Sequence, residues 1–181
     1  ISYTTNQIIR AIAISEGCEN SAVRDFYDKE AVGQLTDEQG VYYTLKQDED
    51  GDFYYSVTGY SYKLDSEIVI ADLGGCPVRS IEERVFEDCR GLSSISISDN
   101  VKTIGTRAFY GCSNLTTVTL GSQLTNIGEY AFGICANLSS IIIPDSVTSI
   151  GKFAFDNCRN LTSVTLGNGV TSLKGGTFFE C

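Results

Sequence analysis

From position 78 to the end of the chain, apolar residues recur in four columns that share one spacing. Phenylalanine stands at Phe86, Phe109, Phe132, Phe155 and Phe178, at intervals of 23 residues. A cysteine follows each of them three positions on, at Cys89, Cys112, Cys135, Cys158 and Cys181. A leucine follows the first four cysteines after a further three, at Leu92, Leu115, Leu138 and Leu161, and an aliphatic residue precedes each phenylalanine by five, at Ile81, Ile104, Ile127, Ile150 and Leu173. Columns in a common register mark a repeat architecture, in which units too small to bury their apolar side alone stack on their neighbours. The pattern predicts a repeat solenoid of about five 23-residue coils.

Within each coil a second, shorter period appears. Ile95 and Ile97, Val118 and Leu120, Ile141 and Ile143, and Val164 and Leu166 alternate with outward residues, as on a half-buried strand. Stacked coils turn these strands into a parallel β-sheet. Its outward positions are Ser94, Ser96, Thr117, Thr119, Ser140, Ile142, Ser163 and Thr165, an uncharged, hydroxyl-rich face with one apolar member. Segments such as 101–104 and 147–150 predict a second short strand on the opposite wall. Glycine follows at Gly105, Gly128 and Gly151, but Glu82 and Lys174 stand there in the first and last coils. Glycine therefore reads as an aid to turning and not as a strict need. One helical or 3₁₀ turn, at 107–109 and its equivalents, then carries the phenylalanine inward.

The N-terminal part does not share the repeat. Residues 1–40 read as a helical leader that packs on the first coil. A helix at 6–16 shows one apolar face, Ile8, Ile9, Ile12 and Ala13, and a second is capped by Ser21. Residues 41–66 read as a β-hairpin cap. Two aromatic and β-branched runs flank Asp48–Asp52, where Asp-Gly signals a tight turn, and a third strand is expected at 61–64. The alternate carboxylates of that turn fail as a calcium loop, because Phe53 and Gly59 stand where the loop needs Gly and Glu. Residues 67–181 hold the repeats, beginning with an irregular coil whose strand is centred on Val69 and whose loop carries Gly74, Gly75 and Cys76.

Composition narrows the chemistry. A formal charge of −10 disfavours nucleic acid, and no apolar run is long enough for a helix to insert in a membrane. The first residue is Ile1 and the chain lacks methionine, which reads as a processed or truncated start. The five ladder cysteines are expected to be free. Equivalent positions on adjacent coils lie roughly 4.8 Å apart with parallel side chains, whereas a disulfide needs converging Cβ atoms. Cys18 and Cys76 lie off the ladder, and their pairing is left open. Without histidine or a Cys-x-x-Cys pair, neither metal nor cofactor is expected. The paired acids Glu82-Glu83 and Glu87-Asp88 sit on an outer turn, so no catalytic site is expected either.

The coil that holds Leu138, Ile141, Ile143, Pro144, Val147, Ile150, Gly151, Ala154, Phe155 and Cys158 resembles the BspA-like, treponemal-type leucine-rich repeat along almost its whole length. The resemblance covers about 68–181. Proline appears in that coil alone, and Val85 and Thr177 replace the usual alanine. The resemblance implies an α/β leucine-rich-repeat solenoid on a secreted or cell-surface protein, often bacterial, that acts in adhesion or protein recognition without common catalytic residues. The expected function is non-catalytic binding of a protein or glycan ligand through the strand face. A structural spacer within a larger surface protein is the alternative. The last coil, with no polar cap, is an expected surface for end-to-end self-association.

Overall fold

The computed structural model describes residues 34–61 and 66–181. The two helices read in the leader, together with Cys18, lie outside the described residues, as does the expected third hairpin strand beyond Ser61.

A hairpin opens the described chain. β2 (Val41–Gln47) and β3 (Phe53–Tyr60) pair antiparallel, and β1 (Gln34–Thr36) lies against β2. β1 falls within the stretch read as helical, where three residues are too few to carry a period. The turn at Asp48–Asp52 forms as the sequence predicts, with Gly51 at φ 92° and the Asp52 N–H donating to Asp48 Oδ1 at 2.8 Å. β3 also pairs in parallel with β5 (Val78–Ile81), so the hairpin becomes the first layer of the stack.

Each coil then supplies one strand to each of two walls. On the first wall lie β4 (Glu67–Ile70), β6 (Ser94–Ile97), β8 (Thr117–Thr119), β10 (Ser140–Ile143) and β12 (Ser163–Leu166). On the second, β5 is followed by β7 (Thr103–Ile104), β9 (Asn126–Ile127) and β11 (Ser149–Ile150). The second wall is continuous with the hairpin as one seven-stranded sheet, β1-β2-β3-β5-β7-β9-β11. Between the walls, Phe86, Phe109, Phe132 and Phe155 are fully buried, with successive ring centroids 5.1–5.4 Å apart. Tyr60 of β3 caps the column above Phe86 at 5.6 Å, and Phe178 closes it below Phe155 at 5.4 Å.

The phenylalanine segment is not a helix, and the described residues contain none. The N–H groups alternate between two destinations. Those of Ala108, Tyr110 and Cys112 close turns onto Gly105, Arg107 and Phe109, while those of Arg107, Phe109 and Gly111 cross to the next coil at Glu129, Ala131 and Gly133. This requires left-handed backbone at two positions per coil. One column is Arg84, Arg107, Tyr130, Phe153 and Gly176, and the other is Asp88, Gly111, Ile134, Asn157 and Glu180. A helix would turn its N–H groups along its own axis, those past the first turn bonding within the coil, and would send none across to the next coil.

The glycine that follows the second-wall strand proves stricter than the sequence suggests. A Cβ on Gly128 would meet Gly105 C and Thr106 N at 2.6 Å, and one on Gly151 would meet Glu129 N at 2.4 Å. Coil backbones touch there. Glu82 is accommodated because its neighbour is the hairpin, where it pairs with Lys46 at 2.7 Å. At Lys174 the second wall ends: β11 is its last strand, and Leu173 is exposed.

Four ladder thiols, Cys89, Cys112, Cys135 and Cys158, are free and buried, and Cys181 is free and exposed. Cys112, Cys135, Cys158 and Cys181 donate to the carbonyls of Phe86, Phe109, Phe132 and Phe155 at 3.1–3.3 Å. Cys76 is disulfide-bonded.

Candidate ligand-binding face

The alternation that buries Ile95, Ile97, Ile141 and Ile143 turns the intervening residues outward. All eight sequence-predicted face residues lie on β6, β8, β10 and β12. Ser94 and Ser96 are half-buried, and Thr117, Thr119, Ser140, Ile142, Ser163 and Thr165 are exposed. Ile142 is 70% exposed, a large apolar side chain held out on a rigid strand.

The structure does not make these strands one sheet. β4, β6 and β8 form one piece, β10 and β12 another, and no ladder joins β8 to β10. A cleft of about 510 Å³ opens at this seam. Thr117, Thr119, Ser140 and Ile142 line it, so four of the eight predicted residues come together there while Ser94, Ser96, Ser163 and Thr165 flank it. The cleft also takes in Thr116, Val118, Ser122, Ser139 and Asp99. The sequence pattern marks none of these as a face residue, and it assigns Val118 to the inward side.

Two local features set the seam apart from the junctions on either side of it. Gly121 and Gly167 let their coils close on the coil before, since a Cβ would meet Ser98 O at 2.1 Å and Pro144 C at 2.4 Å respectively. The same position in the intervening coil is Pro144, which brings a ring and lacks an N–H. Asp99 Oδ1 accepts the Ser122 N–H at 2.7 Å and Asp145 Oδ1 accepts the Asn168 N–H at 2.8 Å, which ties coil to coil on either side of the seam. At the seam the column holds Ser122, whose side chain is too short to make that bridge. Proline without its N–H and serine in the aspartate column were the signals available in the sequence.

Charge around the cleft is sparse. Asp99 is its one carboxylate, and the Ser122 backbone N–H followed by the Ser122 hydroxyl hold it below the usual aspartate range. The outer edge of the wall is sealed differently. Gln39 lays its carboxamide on β4, accepting the Val69 N–H at 2.7 Å and donating to the Val69 carbonyl at 2.9 Å. An exposed strand edge invites pairing with other chains, and one side chain here occupies it.

Residues 76–181 match the BspA type leucine rich repeat region, in six copies. Among solved structures, a leucine-rich repeat protein from Bacteroides capillosus is 30% identical, with a TM-score of 0.61 over 74% of this chain and 97% of that one. The leucine-rich repeat protein of T. pallidum is 28% identical, with a TM-score of 0.58 over 77% of this chain and 75% of that one. A leucine rich cell surface protein from Faecalibacterium prausnitzii is 26% identical, with a TM-score of 0.57 over 84% of this chain and 47% of that one. No curated protein matches the chain.

Proposed function

Because the chain belongs to the BspA-type leucine-rich repeat family, we propose that it is a non-catalytic binding module of a secreted or cell-surface protein, and that its strand face takes a protein or glycan ligand. Thr117, Thr119, Ser140 and Ile142 form the centre of the site, flanked by Ser94, Ser96, Ser163 and Thr165. The observation that carries this reading is the cleft between β8 and β10 in the middle of a hydroxyl-rich face, beside an exposed Ile142. Side chains on strands are held in place before binding, so little entropy is lost when a ligand orders them. A net charge of −10 disfavours acidic partners.

The test begins with a protein and glycan array to find a ligand. Thr119→Arg and Ile142→Glu should then abolish its binding without moving the urea midpoint, because both side chains point to solvent. Glu129→Arg, on an exposed outer turn, should leave binding intact. The opposite pattern places the ligand on the turns and removes the strand-face reading. Self-association is a second contact, favoured by the exposed Leu166, Leu173 and Phe179 on the last coil. Phe179→Lys should lower any concentration-dependent mass seen in sedimentation.

A further inference from the structure

The seam exposes main-chain groups that the rest of the wall pairs. In a parallel ladder one residue turns both its N–H and C=O to the same neighbouring strand, and the next residue turns both to the other. The Thr117 N–H reaches back to the Ser93 carbonyl at 3.3 Å, so Val118 faces β10. The Thr162 N–H reaches the Ser139 carbonyl at 3.0 Å, so Ser139 faces β12, and Ser140 and Ile142 face β8. No hydrogen bond joins β8 to β10 among the described residues. Val118, Ser140 and Ile142 each present a donor and an acceptor to the cleft, and main-chain groups withdrawn from a ladder need partners.

The molecule shows elsewhere which group satisfies such a pair. At Val69 the carboxamide of Gln39 meets the N–H and the C=O of a strand-edge residue together. A primary amide carries an acceptor and donors on adjacent atoms, which matches the polarity of a strand edge.

Resting on the strand-face reading above, we propose that the seam is a receptor for a carboxamide side chain, a glutamine or asparagine carried by a protein partner that crosses the face. The main-chain N–H and C=O groups of Val118, Ser140 or Ile142 hold the amide. Size selects a side chain over a whole strand: a strand between β8 and β10 needs roughly 9.6 Å, two strand spacings, while β9 and β11 stay paired behind the seam. Charge selects the amide over the acid. The rim carries Asp99 and the chain is −10, so a carboxylate of the same shape is repelled. Exposed Ile142 flanks the groups and offers an apolar surface to the methylenes of the incoming side chain.

The isotope-labelled chain is titrated with acetyl-Thr-Thr-Gln-Thr-Thr-N-methylamide, with its Gln→Glu analogue, which then carries no primary carboxamide, and with a trimer of N-acetylglucosamine, whose acetamido group offers a similar amide. The glutamine peptide should shift the amide signals of Val118, Ser140 and Ile142 saturably and slow their hydrogen exchange. The glutamate analogue should bind at least about tenfold more weakly. Pro144→Ser, which restores an N–H opposite the Leu120 carbonyl and removes the ring, should close the seam and reduce the response by about tenfold or more. Equal binding of both peptides, a response to the sugar alone, or no shift at the seam overturns the proposal, and the hydrogen-exchange comparison in the parent chain decides it should Pro144→Ser fail to fold. Shifts confined to Ser94, Ser96, Ser163 and Thr165 would leave the strand face as the binding surface and remove the carboxamide receptor alone.

Discussion

Two residue columns hold left-handed backbone in every coil, and at most of these positions the side chain is not glycine. The most costly is Ile134, a β-branched residue at φ 58° whose column otherwise holds Asp88, Gly111, Asn157 and Glu180. Left-handed backbone costs an ordinary L-residue about 1–2 kcal/mol, and Ile134 is 38% exposed, so its removal gives up limited burial. Ile134→Asn should therefore stabilise the chain by about 1 kcal/mol, read as a higher urea midpoint with an unchanged slope. The thiol column yields a second expectation. Burial, followed by the neighbouring Cys181, pushes Cys158 up from 9.0 to about 12, and burial likewise raises Cys112 and Cys135. Native chain should then react slowly with a maleimide at these three. Between pH 9 and about 12 an unfolded thiol has lost its proton while the folded one keeps it, so unfolding releases protons and rising pH favours it. The urea midpoint should fall above pH 9, and the fall should shrink in Cys135→Ala.

At the scale of elements, the phenylalanine stack and the glycine strip make the coils interdependent. Phe132 is fully buried between Phe109 and Phe155, whereas Phe178 is half-buried with a ring on one side. Phe132→Ala should cost about 3–5 kcal/mol and Phe178→Ala clearly less in chemical denaturation. Gly128→Ala forces a methyl into backbone and should cost about 1–3 kcal/mol, while Gly175→Ala, with nothing near its Cβ, should not. Strands were legible in the sequence because a period of two survives within each coil. The turns were not, since Arg107 and Tyr130 give no local sign of a positive φ, and a Phe-containing segment with no such sign reads as helical. The strictness of Gly128 and Gly151 was hidden for another reason: what forbids their side chains is the backbone of the preceding coil, 23 residues away.

Across the whole molecule, the hairpin is clamped to the first coil by two ion pairs, Lys46 with Glu82 and Arg79 with Asp48. Hydrogen bonding from Arg79, then the Asp52 backbone, hold Asp48 below its ordinary 3.8. Glu82 is opposed by burial, yet hydrogen bonds from Lys46 and Ser80 outweigh it and keep its carboxyl below 4.5. Lowered carboxyls stabilise the fold above their unfolded pKa and lose that contribution as pH falls through the folded values. The urea midpoint should drop below about pH 4, with a shallower drop in Asp48→Asn. The outward orientation of the Ser and Thr columns was legible in the sequence. The division of the face was not, because Pro144 and Ser122 are ordinary residues until the coils are laid side by side.

The asymmetry between the walls also has a mechanical side. One wall is hydrogen-bonded without interruption from β1 to β11, and the other is parted once, between β8 and β10. A load that bends the solenoid away from its strand face should meet less resistance at that point than elsewhere on this wall, because only core packing and no ladder holds it there; a load of the opposite sense must compress the strand face or strain the intact wall. The solenoid should thus bend more readily in one sense than in the other at this joint. Its curvature at the centre of the strand face would then respond to whatever fills the seam.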